Sequence, residues 1–159
     1  MSFQPIANDE LELRIERRIE LPVEQLFDLW TRPEHLREWW GPTDDDGQSF
    51  HVFFREADIR EGGAWRVGMR ARGGKEYWQH GVYQAIVRPS RLMFTLTWEN
   101  DDPDGAEMLI DVSLVAEGDA TLMRFRQSRF SSHQSRDAHI VGWEQCFGRL
   151  TDYAQRRRV

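Results

Sequence analysis

The chain has 159 residues, a formal net charge of −6 and 30% charged residues. That length suits a single folding unit that needs no disulfide or structural metal, and the acidic balance argues against a nucleic-acid backbone as partner. One cysteine, Cys146, cannot pair internally, no basic apolar leader opens the chain and no run approaches about 18 apolar residues, so the expectation is a cytoplasmic protein with no signal peptide and no membrane span.

Residues 1–9 read as a loose arm and residues 10–159 as one domain. Leu11, Leu13, Ile15, Ile19 and Leu21 alternate with Glu12, Arg14, Glu16, Arg18 and Glu20, the pattern of a strand with one wet and one dry face. Arg17 breaks the dry side and reads first as a solvated bend, with a sheet edge or the mouth of a pocket as the alternatives. Pro22 ends the strand and opens a short helix carrying Val23, Leu26, Phe27 and Trp30. Pro33 starts another with Leu36, Trp39 and Trp40, closed by Gly41-Pro42. The two helices form a V that supports one wall of a cavity.

The segment 43–49 is a polar loop. Its Asp44, Asp45, Asp46 and Gly47 lack the alternating ligands of a calcium loop, so an exposed turn is expected and no metal. Strands follow at 50–59 and 65–72, joined by a turn at Gly62-Gly63. The next strand, 75–87, contains Gly81, which reads as a bulge. Both its faces are partly apolar, Tyr77, Gly81 and Tyr83 against Trp78, His80, Val82 and Ile86, so its inward side stays open. Strands at 92–99, 108–114 and 121–127 complete the set, separated by turns at residues 100–105 and 117–119.

The stretch from about residue 134 to 157 carries Ile140, Trp143, Phe147, Leu150 and Ala154 at steps of three and four, widened by Cys146 and Tyr153. That is one stripe of a long helix, with Glu144, Gln145, Arg149, Asp152 and Gln155 expected on the wet side and arginines at the negative end of the dipole. Such a helix needs an apolar partner, and nearly everything before it is strand. The expected architecture is therefore α+β: a curved antiparallel sheet of about six or seven strands wrapped around the C-terminal helix, with two short helices after the first strand.

This order, with Pro22 to Trp30, Trp39-Trp40-Gly41-Pro42, Asp58 to Trp65, Gly81-Val82-Tyr83, Pro89 to Thr95 and Gly142-Trp143-Glu144-Gln145, resembles the START-like (Bet v 1-like, SRPBCC) superfamily and its helix-grip fold. More narrowly it resembles the branch named after the C-terminal domain of the activator of heat-shock-protein-90 ATPase. The likeness spans about residues 12–154. It implies fold more than function, because this fold hosts lipid carriers, polyketide cyclases, hormone receptors and co-chaperones. The loop 43–53 is longer and more acidic than the usual link. The eukaryotic co-chaperones of the branch carry an additional N-terminal domain for which this chain leaves no room, so control of a chaperone ATPase is not expected to transfer.

The resemblance implies a ligand cavity in the wedge between sheet and helix. By alternation Trp65, Val67, Met69, Phe94, Leu96, Trp98, Ile110, Val112, Met123 and Phe125 would line it from the sheet, His139, Trp143 and Phe147 from the helix, and Trp40 from the V. Tyr83 and Gln127 join these as expected ligand contacts. For any one of them taken singly, core packing is the leading reading.

Candidates for acid or base chemistry are Tyr77, His80, Tyr83, Gln127 and His139, and none forms a recognisable pair. His35, His51, His80, His133 and His139 lack metal-ligand spacing, and no phosphate loop or nucleophile elbow is present. Neither a cofactor nor a metal is expected. The leading reading is a binding protein for a small hydrophobic or aromatic molecule, as monomer or homodimer. The alternatives are a cyclase or dehydratase-like enzyme on a similar ligand, and a co-chaperone-like or homodimer-forming interaction module, which a filled interior with exposed Trp39 and Trp40 would favour.

Overall fold

The structure is a computed structural model and describes residues 11–43, 47–99 and 106–157. The elements follow in the order β1 (Leu13–Ile19), α1 (Val23–Thr31), α2 (Pro33–Trp39), β2 (His51–Ala57), β3 (Ala64–Arg70), β4 (Glu76–Val87), β5 (Arg91–Trp98), β6 (Met108–Glu117), β7 (Ala120–Ser128) and α3 (His133–Arg157). Seven strands form one antiparallel sheet in the order β1-β7-β6-β5-β4-β3-β2. The first strand therefore pairs with the last, Ile15 opposite Phe125 and Ile19 opposite Thr121, which curls the sheet around α3. This is the helix-grip architecture expected from the alternation and the long amphipathic stretch.

The alternating sets face inward as read from the sequence. Trp65, Val67 and Met69 of β3, Leu92, Phe94 and Leu96 of β5, Ile110 and Val112 of β6, and Met123 and Phe125 of β7 are all buried. From α3, Trp143, Cys146, Phe147, Leu150 and Ala154 meet them. Trp30 bridges the V to the core, edge-on to Trp39 at 4.7 Å between ring centroids and stacked over Phe125 at 6.3 Å. Offset and edge-on pairs of this kind add to the area that the rings bury.

The ambiguous strand β4 resolves by burial: Gln79, Gly81 and Tyr83 point inward, whereas His80 and Val82 are exposed. Trp78 stays half-exposed on the outer face, with the Arg66 guanidinium 4.0 Å from its ring centroid and Phe53 edge-on at 5.2 Å. Gly81 is not the bulge. The register shift lies between Tyr83 and Ala85. Glycine is required at 81 because a Cβ would collide with the Thr95 carbonyl and sit 2.6 Å from the Trp65 indole nitrogen.

Arg17 sits on an edge strand, one of its expected readings, but is no solvated bend. It is half-buried and reaches from β1 to α3, donating to the Phe147 carbonyl and to Thr151 Oγ1, each at 3.1 Å. It therefore ties the edge strand to the helix rather than marking a bend. The Trp39-Trp40 corner is closed, with the two side chains 0% and 5% exposed, and offers no aromatic surface to a second chain. The expected N-terminal arm, the three aspartates 44–46 and the turn at 100–105 lie outside the described residues. No described helix is long and apolar enough to cross a membrane.

Candidate functional site

A cavity of about 240 Å³ opens between the ends of β3, β4 and β5 and the first half of α3. Trp40, Met69, Gln79, Trp98, His139 and Trp143 surround it, with Gly41, Pro42, Ala138, Gly142 and Cys146 completing the described wall. A second apolar space of about 260 Å³ shares Pro42, Met69 and Trp98 and extends along Phe50 and Tyr77. The two lie side by side across these shared residues, in the wedge that faces the link between α2 and β2.

Three indoles frame this wedge, and each has its N–H tied to a side-chain acceptor. Trp40 Nε1 donates to Gln79 Oε1 at 3.0 Å, Trp143 Nε1 to Gln127 Oε1 at 2.7 Å, and Trp98 Nε1 to His139 Nε2 at 3.0 Å. Trp40 and Trp143 meet edge-to-face at 5.3 Å. An indole whose only donor is satisfied presents pure aromatic surface, and the hydrogen bond fixes its rotamer. The wall is thus preorganised and predominantly apolar.

The position of Trp40 depends on α3. Gln145 Oε1 accepts from the Thr43 backbone N–H at 3.0 Å, the Cys146 thiol donates to the Gly41 carbonyl at 3.2 Å, and Arg149 Nη1 donates to Thr43 Oγ1 at 2.8 Å. Arg149 Nη2 also reaches the carbonyls of Trp39 and Trp40 at 3.4 and 3.5 Å. Gly41 adopts φ +95°, a left-handed turn with Val52 close against the space a side chain would need. Gln145 and Arg149, read from sequence as wet-side residues, therefore clamp the Trp39-Trp40-Gly41-Pro42-Thr43 segment to the helix. Burial lowers the pKa of Arg149 from its ordinary value and pushes the Cys146 thiol up from 9.0 to about 12, so the cavity cysteine is an unreactive thiol.

Of the residues named from sequence, Trp40, Met69, Trp98, His139 and Trp143 come together around the wedge. Trp65, Tyr83, Phe94, Ile110, Met123, Phe125, Gln127 and Phe147 are buried behind them and do not border these two spaces; neither do Val67, Leu96 and Val112. Gln127 is 0% exposed and backs Trp143. Gln79 and Gly142 were missed. A glutamine in a strand with two apolar faces carries no directional signal, and a glycine in a helix shows its purpose only when the space beside it is seen.

The acid–base candidates do not converge. His80 is exposed on the outer face with its Nδ1 2.9 Å from Glu99 Oε2, so it does not face the cavity. Tyr83 is buried, and desolvation pushes its phenol pKa up. His139 has both ring nitrogens engaged: Nδ1 lies 2.8 Å from the Ser135 carbonyl, which can only accept, and Nε2 accepts from Trp98. The ring is therefore the neutral Nδ1–H tautomer. Among the described residues no group of three His, Cys, Asp or Glu is placed to hold a metal.

The comparisons with known proteins agree with this geometry at the level of fold. No curated protein matches the chain. Among solved structures, protein CV1439 from Chromobacterium violaceum is 21% identical, with a TM-score of 0.81 over 90% of this chain and 96% of its own. The AHSA1 protein from Silicibacter pomeroyi is 23% identical, with a TM-score of 0.79 over 92% and 99%. CalU16 from Micromonospora echinospora is 21% identical, with a TM-score of 0.65 over 90% and 75%. The family model for Activator of Hsp90 ATPase homolog 1-like proteins matches residues 20–155. With a sheet gripping its last helix and a family match across most of its length, the chain belongs to the Activator of Hsp90 ATPase homolog 1-like family, a branch of the START-like superfamily.

Proposed function

We propose that the chain binds a small, predominantly aromatic molecule without covalent chemistry, in the wedge between the ends of β3 to β5 and α3. The observation that carries this reading is the three-indole frame, in which Trp40, Trp98 and Trp143 each spend their N–H on a side-chain acceptor around an open apolar space. Aromatic walls with few polar groups recognise flat apolar ligands through area and ring contacts. Each of the two spaces lies below the low end of the usual ligand-pocket range of about 300–1,000 Å³, which favours a compact ring compound over a long acyl chain.

Binding is favoured over turnover because, among the described residues, no pair of free titratable groups converges in the wedge: Tyr77 borders the second space with no other acid or base on its wall. His139 uses both nitrogens, and the Cys146 thiol is held protonated against Gly41. Cyclase or dehydratase chemistry of the general acid–base kind needs an acid and a base that both reach the ligand. Binding is favoured over a docking role for the Trp39-Trp40 corner because both indoles are buried. We place the molecule in the cytoplasm on its lone buried thiol and the lack of any described span.

The test is native mass spectrometry of the purified protein together with titration by N-phenyl-1-naphthylamine, a neutral aromatic probe. A saturable one-to-one complex that is lost in Gly142→Met, a helix-compatible change that fills the wedge, supports the reading. Absence of saturable binding, or binding that Gly142→Met leaves untouched, overturns it.

A further inference from the structure

We infer that Gln79 is the polar anchor of this wedge, and that the ligand is an uncharged aromatic compound presenting a hydrogen-bond acceptor, such as a ketone or other carbonyl, to its side-chain amide; this rests on the binding reading above. Trp40 Nε1 can only donate, so the group that meets it at 3.0 Å must be the amide oxygen of Gln79. That assignment turns Nε2, with its two hydrogens, the other way. Among the described residues Nε2 has no hydrogen-bond partner, although Gln79 is 5% exposed and borders the cavity.

The contrast with Gln127 isolates the point. Gln127 accepts from Trp143 in the same way, but its Nε2 rests against Met108 Sδ at 3.3 Å, away from the wedge. Every other side-chain donor on the described wall of the first cavity is occupied, and the Tyr77 hydroxyl belongs to the second space. The indoles of Trp40, Trp98 and Trp143, the His139 Nδ1–H and the Cys146 thiol all have acceptors. Gln79 is therefore the side chain on that wall with a donor to offer a ligand. Its backbone is held between Val67 of β3 and Trp98 of β5 in the middle of the sheet, so the amide is presented from a rigid position.

The charge of the ligand follows from the same wall. No lysine or arginine borders the cavity among the described residues, and Arg149 spends its guanidinium on the Trp39 to Thr43 segment. A carboxylate would be desolvated here with no countercharge, whereas a neutral carbonyl needs only the amide. The ring system fills the space among the indoles and its oxygen points to β4.

The experiment compares 2-acetylnaphthalene with 2-isopropylnaphthalene, which has nearly the same shape but no acceptor, by calorimetric titration of the folded protein. The ketone is expected to bind about tenfold more tightly, the upper range for one neutral hydrogen bond, and its carbonyl stretch to move to lower frequency on binding. Gln79→Leu is expected to erase the preference while the hydrocarbon still binds. Gln79→Met leaves Trp40 a weak sulfur acceptor at similar volume, removes the donor and is expected to lose the same preference, which separates the amide's role from any disturbance of Trp40. Equal affinities in the unmodified protein, or a preference that survives both substitutions, overturns the inference and leaves the binding reading standing. Failure of both compounds to bind overturns the binding reading itself, and this inference with it.

Discussion

Trp98 and His139 hold one another across the mouth of the wedge: the indole N–H donates to His139 Nε2 at 3.0 Å, and His139 Nδ1 is turned to the Ser135 carbonyl one helical turn back at 2.8 Å. The pair joins the end of β5 to the first turns of α3 and closes one side of the cavity. It also decides the tautomer, because an indole can only donate and a carbonyl can only accept. Nitrogen-15 spectra of the folded protein should show Nδ1 protonated and Nε2 as a bare acceptor. His139→Ala should shift the Trp98 indole resonance more than any other and cost about 1 kcal/mol, the typical net worth of one hydrogen bond. An Nε2-protonated ring would rule the arrangement out.

Gly142 and Gly148 provide a matched pair. Both lie in α3, and a Cβ built on either meets nothing within 4 Å, but Gly142 borders the cavity and Gly148 does not. Alanine at either position should stabilise the helix by roughly 0.5–1 kcal/mol through backbone entropy. Gly142→Ala should at the same time weaken binding of a neutral aromatic probe by several-fold, and Gly148→Ala should leave it unchanged. Urea melts and probe titrations of the two variants separate the effects. Equal affinities would mean that the ligand does not approach α3 there.

Alkaline stability should depend on Cys146. Burial raises the thiol from its ordinary 9.0 to about 12, so the folded chain keeps a proton that the unfolded chain sheds. Below pH 9 the contribution is complete. As pH rises from 9 toward about 12, stability should fall by roughly 1.4 kcal/mol for each unit. Cys146→Ala should flatten that loss between about pH 8 and pH 10, where Tyr83, also raised by burial, has barely begun to contribute. Denaturant midpoints at the two pH values test this, and an unchanged slope in Cys146→Ala would contradict it.

Arg149 is half-buried, and its hydrogen bonds run to one hydroxyl and two carbonyls of the segment that carries Trp40. Arg149→Met keeps the aliphatic stem and removes those bonds. Hydrogen bonds from a charged donor are each worth about 1.5–3 kcal/mol, and only the one to Thr43 is short, so a loss of about 2 kcal/mol is expected. The more telling readout is local: acrylamide should quench Trp40 more readily once the segment is released. A stability loss without added quenching would assign Arg149 to general packing rather than to holding the cavity wall.

The amino-acid sequence by itself determined the inward faces of β3, β5, β6 and β7 and the stripe of α3. Period-two and period-three-to-four patterns report which side of an element is dry without reference to any neighbour. It left β4 undecided, because an aromatic ring can be settled on the wet side by a cation, as Arg66 does for Trp78. Only the tertiary structure decided the pairing of β1 with β7, the inward turn of Gln79 and the use of Gln145 and Arg149 as clamps. Those features rest on partners far apart in the chain: Trp40 and Gln79 are 39 residues apart, and Thr43 and Arg149 are 106 apart. A glutamine or arginine on a local pattern reads as solvent-facing until the distant donor or acceptor that it satisfies is brought to it, and that meeting is a property of the fold rather than of the segment.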